Sequence, residues 1–206
     1  MSHISQLKKS GYTVVENVIP DSELDAISAS IQASTDEHGG EDARSRGIGH
    51  VGGFMRYNQA LAPYLSDRRV LDPVEGILGP VVKISFTTAT INLAGNPRGT
   101  WHADWPFNQK NAGHVPAPYP DRIMHLTMLW MITEFTTDNG ATLIVPRSHL
   151  DSTNPTAADW NGPTNQPFNA ERPVEGAAGS VLVMDSRLWH ATAPNQTEAD
   201  RVALAV

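Results

Sequence analysis

Apolar residues recur at helical intervals along the chain as far as Gly79-Pro80 and at strand intervals beyond it. Residues 3–9 read as a short helix, and Tyr12-Thr13-Val14-Val15 as a strand. Pro20-Asp21-Ser22 then opens a longer helix, because Ser22 with Asp25 three residues on has the form of a capping box and Leu24, Ile27 and Ile31 fall on one face. Between Asp36 and Gly53 six glycines lie among charges with no apolar period, which predicts a mobile surface loop. Val70, Leu71, Val74, Ile77 and Leu78 predict another helix that stops at Gly79-Pro80, with Asp72-Pro73 near its start or at a kink.

Beyond that point the expected strands are Val81–Leu93, Thr100–Trp105, Arg122–Thr133, Thr142–Val145, Ser180–Met184, Leu188–Ala193 and Arg201–Val206. Long Pro- and Asn-rich loops separate them at Pro106–Asp121 and Asp151–Pro173. Helices followed by about seven or eight strands predict a mainly β fold, a cupin-like double-stranded β-helix or jelly roll, buttressed by N-terminal α-helices. On size the chain reads as one domain over residues 1–206, with a helical part over about 1–80 and a jelly-roll part over about 81–206.

Composition mainly excludes. With 22 acidic against 15 basic residues and no basic cluster beyond Lys8-Lys9 and Arg68-Arg69, no nucleic-acid footprint is present. No apolar run is long enough for a membrane span, and the N-terminus lacks a secretory h-region, so a cytoplasmic protein with neither membrane nor nucleic-acid partner is expected. The absence of cysteine removes thiol catalysis and thiolate metal sites. Oligomeric state is left open.

The chemistry concentrates in Trp101-His102-Ala103-Asp104-Trp105, in His190 and in Arg201. On a strand, residues i and i+2 face the same way, so His102 and Asp104 can reach one metal while Ala103 turns aside. A third ligand from a distant strand, His190, completes two imidazoles and one carboxylate. That is the facial triad of non-heme Fe(II) oxygenases, which leaves the opposite coordination positions open.

A second His-x-Asp, His149-Leu150-Asp151, ranks lower because Pro146-Arg147-Ser148 before it and Asn154-Pro155 after it predict a loop. Thr192 should face as His190 does, and the return of a hairpin should bring Arg201 alongside, where a guanidinium can hold the far carboxylate of a dicarboxylate cosubstrate. A structural ion pair of Arg201 with Asp185 or Glu198 is the competing role. Asn92, on the preceding strand, can face the same cosubstrate or serve as a sheet polar residue. His125, at the head of a strand, is the remaining histidine most suited to line a pocket, whereas His38, His50 and His114 have no partner pattern.

Four blocks together resemble the phytanoyl-CoA dioxygenase-like branch of the Fe(II)/2-oxoglutarate oxygenases: Trp101-His102-Ala103-Asp104; the run from Asp138-Asn139-Gly140 to Pro146-Arg147-Ser148-His149; Gly179 to Asp185; and His190 to Asn195 with Arg201. The resemblance implies the same jelly-roll fold, His102, Asp104 and His190 as iron ligands, Arg201 as the 2-oxoglutarate anchor and Thr192 as a second contact to it. Proteins of that family usually continue past this arginine; here five residues follow, so the last strand either closes the sheet or is followed by a piece outside this sequence.

The expected activity is therefore Fe(II)- and 2-oxoglutarate-dependent oxidation of a small molecule by O2, with hydroxylation as the expected outcome and desaturation, ring closure or epimerisation open to the same chemistry. Succinate and CO2 leave. Two rivals are a zinc hydrolase using the same three ligands and a non-catalytic metal-binding jelly roll. Loops 36–58, 106–121 and 151–172 are candidate lids, Trp105, Phe107 and Asn108 lie next to Asp104, and Arg44, Arg46 and Arg56 are candidates for an anionic substrate.

Overall fold

A computed structural model describes residues 1–39, 48–105, 121–153, 155 and 160–206. In chain order the elements are α1 (His3–Ser10), β1 (Tyr12–Val15), α2 (Asp21–His38), β2 (Ile48–Gly52), α3 (Arg68–Leu78), β3 (Thr88–Asn92), β4 (Leu126–Met131), β5 (Thr142–Ile144), β6 (Arg172–Val174), β7 (Val181–Asp185), β8 (His190–Thr192) and β9 (Arg201–Ala205). Six strands form one antiparallel sheet in the order β1-β7-β4-β9-β3-β2, and three form a second in the order β6-β5-β8. This is the expected jelly roll.

The period of two decides what each face of the large sheet does. On β9, Val202 and Leu204 join the core beneath the helices, while Arg201 and Ala205 line a cavity and Ala203 packs with the inner cluster. On β7, Val181 and Val183 go outward and Leu182 and Met184 inward. On β3, Ala89 and Ile91 go outward while Thr88 and Thr90 face the cavity. The helices cover the outward set: Leu7 from α1, Leu24, Ile27 and Ile31 from α2, and Val70 and Val74 from α3 share one buried cluster with it. Each of these side chains contributes roughly 1.5–3 kcal/mol by leaving water. The helices thus act as a clamp on the back of the sheet and leave its inner face for chemistry.

Several elements depart from the expected ones. The glycine-rich loop contains β2, an edge strand pairing with β3 from Ile48↔Asn92 to Gly52↔Thr88. β6, also unforeseen, holds Pro173 opposite Leu143 at the edge of the small sheet, where a missing N–H costs no ladder bond. The strand expected over Val81–Leu93 is laddered only from Thr88 onward, and Val81 and Ile84 are exposed. Thr100–Trp105 reduces to a single bridge at His102. α2 begins at Asp21 behind Pro20 with no side-chain cap, so the capping box at Ser22 does not form. α3 starts at Arg68, where the Asp67 carboxylate accepts from the Arg69 N–H at 2.8 Å, and carries Pro73 within it. Arg44, Arg46, Phe107, Asn108 and His114 lie outside the described residues.

Candidate metal centre

Gly99, His102 and their neighbours run beside β8. The Gly99 N–H donates to Thr192 O (2.9 Å), and His102 and His190 exchange both backbone hydrogen bonds (3.0 and 2.9 Å). The two histidines are therefore directly opposed cross-strand partners, and their rings stand 4.1 Å apart between centroids.

Tryptophans on the reverse face fix which way the histidines point. Trp101 is buried, its backbone and indole N–H groups donate to Thr164 O and Gln166 O, and Phe168 packs edge-on against it at 5.2 Å. Trp189 packs against Phe168 and Trp160 in the same cluster. With residues 101 and 189 buried outward, residues 102 and 190 must face the cavity. Asp104, two residues along, joins them.

The donor atoms converge. The His190 Nε2 lies 3.5 Å and the His102 Nε2 3.9 Å from Asp104 oxygens, and one donor atom from each of the three residues falls within 4.8 Å of the others. In each imidazole the other nitrogen is already committed: His102 Nδ1 to Thr100 O (3.0 Å) and His190 Nδ1 to Leu188 O (2.9 Å). A carbonyl only accepts, so both Nδ1 atoms carry a proton and it is Nε2 of each ring that is turned toward the cavity.

Charge follows the same plan. Burial, with repulsion from His102, pushes His190 down to about 4 against the pull of Asp104, so the ring is neutral at physiological pH. Burial pushes the Asp104 carboxyl up, but His190, His102 and the Thr127 hydroxyl outweigh it and hold the group ionised below the usual carboxylate range. Two imidazole nitrogens and one carboxylate on one side, with His102 still 42% exposed against 8% for His190, suit a first-row divalent cation that keeps positions open to the cavity.

That cavity measures about 400 Å³. Its wall includes the three residues above together with Arg201, Thr192 and Thr90. Arg201 is 2% exposed, its face lies 4.1 Å from the Phe135 ring, and its Nε and Nη1 have no hydrogen-bond partner among the described residues. Burial pulls its pKa down to about 9, so it remains a cation at neutral pH. Asp185, the structural ion-pair partner considered for Arg201, pairs with Arg187 instead at 2.8 Å. An uncompensated buried charge costs several kcal/mol, and the far carboxylate of a cosubstrate would compensate it.

Other expected residues fall out differently. Thr192 lines the cavity. Asn92 does not: its amide donates to Gly140 O and Ala193 O (3.3 and 3.4 Å) and its Oδ1 accepts from Asn96 (2.6 Å), so it braces the turn before β5. Arg56 lies beside Tyr57, outside the cavity wall. His149 is buried and its Nε2 meets Lys8 O at 3.3 Å, far in role from the three convergent donors. His125 lies outside the cavity wall, behind Thr127.

His50, in contrast, reaches the cavity from β2 and has its pKa lowered by burial and by His102. Nothing marked it in a glycine-rich stretch without a strand pattern. Thr88, Thr90 and Thr127 also face the cavity, and alternation against Ala89, Ile91 and Leu126 was the signal available for them.

A jelly roll with two histidines and one carboxylate at its inner face defines a class of metal-dependent oxygenases. Residues 7–203 match the family model of phytanoyl-CoA dioxygenase (PhyH), and the chain belongs to that dioxygenase family. An uncharacterised protein of Mycobacterium tuberculosis is 31% identical over 201 residues, covering 94% of this chain and 69% of that protein. The dioxygenase af480 of Aspergillus fumigatus is 32% identical over 135 residues, which cover 65% of this chain and 39% of af480. Among solved structures, the epimerase SnoN in complex with Fe3+, alpha ketoglutarate and nogalamycin RO superposes with a TM-score of 0.72 at 16% identity, over 98% of this chain and 80% of SnoN. HygX of Streptomyces hygroscopicus with nickel and 2-oxoglutarate gives 0.72 at 15% identity, over 98% and 84%. These two structures share the fold.

Proposed function

We propose that this protein is an iron(II)- and 2-oxoglutarate-dependent oxygenase of a small molecule, in which His102, Asp104 and His190 hold the metal, Arg201 holds the distal carboxylate of 2-oxoglutarate and Thr192 makes a second contact to it. The observation that carries the reading is the buried guanidinium of Arg201, with two nitrogens unpartnered among the described residues, in the wall of the cavity that contains the three convergent donors. A zinc hydrolase or a plain metal-binding jelly roll would leave that charge without a use.

Iron with 2-oxoglutarate and O2 would supply the oxidising power, with succinate and CO2 released. The chain's own contribution is placement. Nδ1–H bonds to the Thr100 and Leu188 carbonyls keep both imidazoles as Nε2 donors, and the Thr127 hydroxyl holds one Asp104 oxygen. Arg201 orients the cosubstrate through a charge-assisted pair. Leu129, Met184 and Ala205 make that wall apolar, which excludes water and strengthens the pair. His50 and Phe86, on the same wall, are placed to meet the substrate, whose oxidation we take to be a hydroxylation. SnoN is named an epimerase and SnoK, of the same fold, a carbocyclase, so the outcome depends on how a substrate is held.

The test is turnover of 2-oxoglutarate in air. With Fe(II) and ascorbate, the purified protein should form succinate even without substrate, and with Zn(II) none. Absence of both succinate formation and 2-oxoglutarate binding would overturn the reading.

A further inference from the structure

Behind the candidate metal centre a row of hydrogen bonds runs from Asp104 to the surface. The Thr127 hydroxyl lies 2.8 Å from Asp104 Oδ2, Ser186 Oγ lies 2.7 Å from Thr127 Oγ1, His125 Nδ1 lies 2.6 Å from Ser186 Oγ, and Ser85 Oγ lies 2.7 Å from His125 Nε2. Thr127 and Ser186 are buried, and Ser85 is exposed. The row depends on the β4–β7 ladder: Leu126 pairs with Asp185, so His125 and Ser186 meet just past the end of the register. Backbone bonds lock that end, since the Ser186 N–H donates to His125 O (3.2 Å) and the Trp105 N–H donates to Ser186 O (2.9 Å).

Counting protons fixes the direction of every link. A carboxylate only accepts, so Thr127 spends its one hydroxyl proton on Asp104. Ser186 must then donate to Thr127. Its proton being spent, Ser186 can only accept from His125, which must carry its proton on Nδ1. With the ring neutral, the form its partial burial favours, Ser85 closes the row by donating to Nε2. All donors point toward the carboxylate, and each bond polarises the next.

We infer that His125 is a positioning residue for the metal carboxylate: acting through Ser186 and Thr127, it keeps one oxygen of Asp104 engaged and leaves the other for the metal. The inference rests on the proposed metal site. It separates His125 from a packing role, which its stacking on Phe86 at 6.0 Å between centroids would also provide.

The experiment titrates Co(II) into the full chain, recording the dissociation constant and the visible d–d spectrum, with apo melting temperatures as a folding control. Thr127→Val should weaken Co(II) by about 10–100-fold, the usual effect of an outer-shell partner, and Thr127→Ser should restore it to within about twofold. His125→Phe, two hydroxyls away, should weaken it by about three- to tenfold and alter the spectrum, while His125→Asn, whose side-chain N–H takes the place of Nδ1–H, should restore both. Should His125→Phe fail to fold, Ser186→Ala tests the same link and should lie between the two. Parental affinity and spectrum in His125→Phe, or a loss that His125→Asn does not repair, would overturn the relay. No Co(II) binding by the parent chain would instead overturn the metal site itself, and the relay with it.

Discussion

His102-Ala103-Asp104 and His149-Leu150-Asp151 carry the same donor types at the same spacing, yet the fold places them in opposite ways. The first lies extended and bonded across to His190, so its two side chains share a face. The second lies on a 3-10 turn over Ser148–Leu150, where a period of three sends residues i and i+2 apart. His149 turns inward to Lys8 O, while Asp151 stays exposed and its carboxylate accepts from the Thr153 N–H at 3.3 Å. What separates a candidate metal site from a structural histidine here is the backbone beneath it, together with a partner strand that brings a third donor.

The comparison can be broken most severely by deleting donors. His102→Ala or Asp104→Ala should reduce metal affinity by more than the roughly 100-fold typical of outer-shell changes and abolish 2-oxoglutarate turnover. His149→Ala should keep metal affinity and instead lower stability by roughly 1–3 kcal/mol, as loss of a buried, hydrogen-bonded side chain does. Isothermal titration with Co(II) alongside thermal melting distinguishes the two, and metal loss in His149→Ala would reverse the assignment.

Arg201 provides the next effect in size. Arg201→Ala should raise the apparent KM for 2-oxoglutarate about 10–100-fold with metal affinity unchanged, since a charge-assisted contact contributes up to roughly 3 kcal/mol. Arg201→Met should also raise the melting temperature of the apo protein, because it removes an uncompensated buried charge. A lower melting temperature in Arg201→Met would mean that the guanidinium is structurally paired after all.

Acid should act on both histidine sites. The folded pKa of His190, about 4, lies below its ordinary 6.5, so below pH 6.5 the unfolded chain binds the extra proton. Stability is thus fully present above pH 6.5 and falls as pH drops toward 4, by roughly 3 kcal/mol in full. Burial lowers His149 as well, against the pull of Asp185, so it adds a loss of the same sign. Urea unfolding from pH 7 to 5 should show a shallower decline in His190→Gln, and an unchanged slope would contradict its burial as a neutral ring. The smallest effect belongs to Asp151→Ala, an exposed loop change expected within about 0.5 kcal/mol of the parent by the same unfolding curves.

Legibility in the sequence followed how much each element depends on its own side chains. β1, β7 and β9 are alternating or continuously apolar and were read within a residue or two. β2 and β6 are edge strands held by backbone pairing, and their glycines or proline signal turns before they signal strands. The donor set was legible because same-face logic needs only the spacing of His102 and Asp104 and one distant histidine. Asn92 lies opposite Arg201 in the sheet, but the turn at Gly140 crosses that end of the strand and takes its amide, which no local pattern in the sequence shows. The His125 relay was invisible because it depends on the register of β4 against β7, which no local pattern encodes.

The central claim, that three convergent donors and one buried arginine form a single site for metal and cosubstrate, is tested most directly by adding Fe(II) and 2-oxoglutarate together without oxygen. A visible metal-to-ligand charge-transfer band should appear at one Fe(II) per chain, vanish in His102→Ala and require far more 2-oxoglutarate in Arg201→Ala. No band in the parent chain at saturating metal and cosubstrate, or a band that survives His102→Ala, would contradict it.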